Sequence, residues 1–122
     1  MSMPRWAEDL TVKACEQLGI EIPIIIWRRT KKRYSTGRAW AYSHEVHINA
    51  GFSRVDTRMV LLHELTHIKH KKVGHTAKFW DDCWRMYRWD RLPMKHCYQR
   101  EIAYRKGAEK AYKRIKKEVR KS

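Results

Sequence analysis

The order of apolar and polar positions along the chain marks out its elements. Trp6, Leu10, Ala14 and Leu18 recur every four residues between Pro4, which suits a first helical turn, and Gly19, which suits a helix end. An amphipathic helix is predicted there. Ile22 to Trp27 is dense in β-branched residues and runs into the basic segment RRTKKR, the pattern of a buried strand leaving the core for solvent. A turn is expected around Thr36-Gly37. From Ala39 to Asn49 the period is two, with Trp40, Tyr42, His44, Val46 and Ile48 alternating against smaller or polar residues. That predicts a strand with room for a turn near Ser43-His44.

After Gly51 the period changes. Val60, Leu61, Leu62, Leu65 and Ile68 fit a second helix that Ser53 or Asp56 can cap and Gly74 can stop. Thr76 can cap a third through about Trp89, where Phe79, Trp80, Cys83, Trp84 and Tyr87 recur at three and four and Pro93 sets the outer limit. Beyond it, Tyr98, Ile102, Ala108, Ala111, Ile115 and Val119 form a thinner stripe interrupted by Gly107, which predicts a basic helical tail from about residue 99, largely solvated in its last half. An N-terminal helix, a short sheet, the second helix and two further helices make an α+β architecture, expected as a single domain over residues 1–122.

Composition narrows the class. With 122 residues, 43% of them hydrophobic, and six Trp and six Tyr, the chain has enough bulky apolar surface for one modest core. The longest apolar run, Ile22 to Trp27, falls far short of the roughly 20 residues that cross a bilayer, so no membrane partner is expected. The N-terminal MSMPRWAEDL carries Glu8 and Asp9 and no signal-length apolar stretch, which points to a cytoplasmic protein. Cys15, Cys83 and Cys97 form an odd set without CxxC spacing and read as reduced, buried thiols.

The candidate chemistry sits on the second predicted helix. His63-Glu64-Leu65-Thr66-His67 is an HExxH sequence, and in a helix its histidines lie one turn apart, about 6 Å along the axis, with both rings on one face. Two imidazoles so placed can grip one zinc ion. A catalytic zinc site needs a third protein ligand and an open fourth position. His75 is the choice for the third, because it directly follows Gly74, where the chain can leave one helix and return a side chain. His70 shares a face with His63 but stands roughly 10 Å farther along the axis, too far for one ion to reach both. Glu64, offset by about 100° from His63, is placed to act as a general base rather than a ligand. The expected reaction is peptide-bond hydrolysis. A donor for the oxyanion is also needed, and Tyr42, His47, Tyr87, His96 and Tyr98 are all chemically able to serve.

The segment HELTHIKHKKVGHTAKFW, residues 63–80, resembles the SprT-like and YgjP-like zinc metallopeptidases, in which HExxH precedes a His-xxx-Phe or His-xxx-Phe-Trp segment. The resemblance implies a minimal zincin-like fold and one zinc ion held by His63, His67 and His75. It makes Glu64 the catalytic glutamate and matches Phe79-Trp80 to the aromatic pair after the third ligand. It also implies that the strand from Trp40 to Asn49 precedes the active-site helix and can bind an extended peptide or protein substrate by β-addition. No cysteine-rich zinc ribbon follows, and outside residues 20–90 the likeness fades.

Charge adds a second theme. Lys plus Arg number 28 against 13 acids, a net +15, and a field of that sign attracts polyanions. Arg28, Arg29, Lys31, Lys32, Arg33 and Arg38 cluster between the strands, interleaved with Tyr34 and Trp40, a combination that suits phosphates and unpaired bases. The SprT-like resemblance includes proteases that act on proteins crosslinked to DNA, so DNA or nucleoprotein is an expected partner. A nucleic-acid-binding protein with a structural, non-catalytic zinc site is the alternative, and a small structural zinc module for binding protein partners also stays open. A monomer is compatible with the sequence.

Overall fold

The computed structural model describes residues 3–29, 37–71, 74–102 and 106–121, with side chains as far as 117. Lys31, Lys32, Arg33, Tyr34 and Thr36 lie outside the described residues. The described elements are α1 (Arg5–Leu18), β1 (Ile24–Arg28), β2 (Gly37–Trp40), β3 (Glu45–Asn49), α2 (Arg54–Lys69), α3 (Ala77–Trp89), α4 (Met94–Ile102) and α5 (Lys106–Lys121). The fold is α+β, as the hydrophobic pattern predicts. The chain divides into two compact units, Met1–Lys71 and Lys72–Ser122.

In the first unit, α1 runs between the two punctuating residues. Pro4 is its N-cap and Gly19 its C-cap, the latter at φ 73, a left-handed conformation that costs a residue with a Cβ about 1–2 kcal/mol. The sheet has the order β1-β3-β2, with β1 parallel and β2 antiparallel to β3. The expected strand from Ala39 to Asn49 is therefore a hairpin that begins earlier, at Gly37. Residues 41–44 form its turn, and His44 takes a φ of 54 there. That turn resets the alternation. Ala39 pairs with Val46, and Trp40 with Glu45, so Trp40 shares a face with Glu45 and His47 instead of with Val46 and Ile48.

One sheet face, carrying Ile25, Trp27, Gly37, Ala39, Val46 and Ile48, turns towards the helices. The other carries Ile24, Ile26, Arg28, Arg38, Trp40, Glu45 and His47. Helix α2 packs on β2 and β3 and against α1. Ser53 starts it, its Oγ accepting from the Asp56 N–H at 3.2 Å, and it ends at Lys69 with His70 as C-cap, before the expected stop at Gly74. Leu61, Leu62, Leu65 and Ile68 are buried, each contributing about 1.5–3 kcal/mol on leaving water. This burial fixes the helix that carries His63, Glu64 and His67.

In the second unit, α3 packs on α5 and α4 on α5. Trp80, Trp84 and Tyr87 are buried on α3, as are the small Ala108 and Ala111 and the larger Ile115 on α5. Trp84 Nε1 donates to the Ala108 carbonyl at 2.9 Å, and Arg114 closes the edge with an ion pair to Asp81 at 2.8 Å. Gly107 lies against Trp80, where an added Cβ would sit 3.5 Å from the indole. The segment beyond Pro93 thus forms two helices instead of one basic tail, and the expected solvated half is anchored by Ala108, Ala111 and Ile115. Cys15, Cys83 and Cys97 are buried. Among the described residues no helix is long and apolar enough to cross a membrane.

Candidate metal centre

The apolar stripe of α2 seats its HExxH segment between buried neighbours. His63 and Glu64 are themselves buried, and His67 is half-buried one turn on. The His63 and His67 rings lie edge to face with centroids 5.0 Å apart, as the spacing predicts. Thr66, inside the segment, is fully buried and donates its hydroxyl to the Leu62 carbonyl at 2.7 Å, which satisfies a polar group that would otherwise be stranded.

Glu64 points to a different neighbour. A Cβ built on Gly37 would lie 2.5 Å from Val60 Cγ1, 3.0 Å from Glu64 Cγ and 3.1 Å from Glu64 Oε2. The carboxylate therefore sits against the backbone of β2, an edge strand of the sheet, in space that only glycine leaves open. Sequence reading assigned Gly37 to a turn and missed this role, because nothing local distinguishes a turn glycine from one making room for a distant helix.

His75 occupies the second unit, where the local sequence builds its surroundings. Gly74, at φ 95, turns the chain, and Thr76 then caps α3, its Oγ accepting from the Phe79 N–H at 3.2 Å. The imidazole between them stacks on Trp80 at 5.2 Å and 22° and meets the edge of Phe79 at 5.0 Å. These two aromatics fix the ring plane. His63 and His67 in the first unit can each offer one nitrogen to a metal ion, and His75 in the second unit offers another.

The candidate oxyanion donors separate. Tyr42 is 89% exposed at the hairpin turn. His47 lies on the sheet face away from α2, edge to face with Trp40 at 4.5 Å and joined to Glu45 at 2.8 Å. Tyr87 is buried and donates to Glu101 Oε2 at 3.0 Å, its phenol pushed well above the ordinary range by burial and then by Cys83 and Glu101. Tyr98 donates to Glu109 at 3.3 Å, and His96 is half-buried on α4. Of the basic cluster, Arg28, Arg29 and Arg38 are exposed, and the Arg38 guanidinium lies 5.3 Å from the Trp40 ring centroid.

No family model matches the chain, and no curated protein matches it. Among solved structures, the chain is similar to the metallopeptidase zymogen of Pyrococcus abyssi abylysin, with 22% identity and a TM-score of 0.58 over 80% of this chain and 93% of that one. At that identity the likeness is one of fold, and the fold is similar to that of a small metallopeptidase domain.

Proposed function

We propose that this chain is a zinc-dependent peptidase of the SprT-like or YgjP-like kind, with His63, His67 and His75 as ligands of one zinc ion and Glu64 as general base. The observation that carries the reading is the HExxH segment folded as one turn of α2, with the His63 and His67 ring centroids 5.0 Å apart and Glu64 buried between them in sequence. Imidazole nitrogens suit zinc, and three protein ligands would leave a fourth position open.

Zinc held there supplies Lewis acidity, polarising a peptide carbonyl and lowering the pKa of water to about 7. The remaining chemistry belongs to the protein. Glu64, adjacent to His63 yet turned towards β2, takes the proton of the attacking water and delivers it to the leaving amine. The edge of β2 beside it offers backbone groups to an extended peptide, which brings a scissile bond past the carboxylate.

The proposal extends to substrates held near single-stranded nucleic acid. Its support is the outer sheet face, where the Arg38 guanidinium lies 5.3 Å from the ring of an accessible Trp40 and Arg28 stands exposed at the far end of β1, a pairing of phosphate-binding cations with a stacking ring.

Metal analysis of the purified chain together with Glu64→Gln tests the enzyme reading. The expected result is one zinc per chain in both proteins, with casein cleavage by the wild type reduced by about 10²–10⁴-fold in the variant. A zinc-loaded wild type that binds oligonucleotides and cleaves no protein would favour the alternative, a nucleic-acid-binding protein with a structural metal.

A further inference from the structure

In a parallel ladder the N–H and C=O of one residue point to the same side, and successive residues alternate. The Ile24 N–H donates to the His44 carbonyl at 3.0 Å, and the Arg28 carbonyl accepts from the Ala50 N–H at 2.6 Å. Residues 24, 26 and 28 therefore spend their backbone groups on β3. Ile25 and Trp27 direct theirs to the outer edge of β1, where no strand pairs with it among the described residues. Such an edge is a template for another strand.

The edge is also apolar. Ile22, Ile24 and Val12 are 54%, 63% and 51% exposed, and between α1 and β1 opens a groove of about 550 Å³ lined by Met3, Val12, Ile25 and Trp27 among others. Trp27 Nε1 is buried and has no hydrogen-bond partner among the described residues.

We infer that the outer edge of β1 is a self-complementary interface through which two copies of this chain pair antiparallel about a two-fold axis at Ile26. That register sets Ile25 against the partner's Trp27 and exchanges both N–H···O bonds at each such pair, which uses every outward backbone group of these two residues. It lays Ile25 and Trp27 of each copy along the groove of the other. On the outer face it sets Ile24 beside the aliphatic stem of the partner's Arg28.

Charge selects a second copy over an arbitrary strand. The segment begins with Glu21 and ends with Arg28 and Arg29, so antiparallel pairing puts the acidic start of each strand beside the basic end of the other. Against this stands the net +15 of each copy, a longer-range repulsion that salt screens with a Debye length of about 10 Å at 0.1 M. Association should therefore strengthen as salt is added.

Sedimentation equilibrium on the full chain, with and without added salt, tests the pairing. The expected mass rises from 14.8 kDa towards twice that value with concentration, and more readily with salt. Amide exchange at Ile25 and Trp27 should slow in parallel. Ile24→Lys, at an exposed position, places like charges together twice across the axis and should weaken the dimer about tenfold. Adding Arg28→Glu to it should restore pairing, with circular dichroism reporting the fold of both variants. A wild type that stays monomeric at all salt concentrations, an Ile24→Lys variant that dimerises unchanged, or a double variant that fails to recover would each overturn the interface.

Discussion

Gly37 of β2 and Glu64 of α2 meet so closely that the glycine has no room for a side chain: a Cβ there would approach the glutamate Cγ to 3.0 Å and Val60 Cγ1 to 2.5 Å. The proposed general base is thus positioned by the backbone of an edge strand. Val60 and Glu64, one turn apart on α2, both lean on the same residue of the sheet.

Gly37→Ala should lower thermal stability by about 1–3 kcal/mol, the usual cost of forcing a methyl into a filled site. Because Glu64 is one of the two displaced neighbours, peptidase activity should fall further than stability accounts for, while zinc content stays near that of the wild type. Melting temperature, zinc content and turnover measured on the same sample check this, and an alanine variant of normal activity would show that Glu64 does not depend on β2.

Two histidines near the end of the HExxH helix are expected to behave differently. His75→Ala removes one of three proposed ligands and should release most of the zinc on dialysis. His70→Ala, at the C-cap of α2, should retain it. Metal content after exhaustive dialysis separates them, and equal retention would exclude His75 as a ligand.

Burial pushes the Cys15 thiol from its ordinary 9.0 up to about 11. The thiolate is the nucleophile, so iodoacetamide at pH 8 should modify Cys15 slowly in the folded protein and rapidly in urea. The unfolded chain gives up this proton first. Stability from the group is therefore complete below pH 9 and is lost as the pH rises towards 11. Peptide mapping after timed alkylation, with urea midpoints at pH 8 and pH 10.5, reads both effects.

Replacement of Arg38 and Trp40 together by alanine should weaken single-stranded oligonucleotide binding and make its salt dependence shallower. One phosphate contact and one stacking ring are lost, and stacking alone is worth about 1–3 kcal/mol per base. Both side chains lie on the outer sheet face, so the melting temperature should stay near that of the wild type. Oligonucleotide binding unchanged by the double substitution would remove the sheet face from the proposal.

Much of this protein is determined locally. Pro4 and Gly19 bound α1 because fixed φ and a left-handed φ are properties of single residues, and Ser53 and Thr76 cap α2 and α3 because their hydroxyls reach an N–H three residues on. The His63–His67 pair follows in the same way from helical pitch. Tertiary structure decided what no local rule contains. It reset the alternation of Trp40 against Val46, since a hairpin turn changes which residues share a face. It drew Ala108, Ala111 and Ile115 into a core with Trp80 and Trp84, where the sequence showed only a thin stripe. And it made Gly37 the neighbour of Glu64, because close approach between residues 27 positions apart depends on how a helix lies on a sheet.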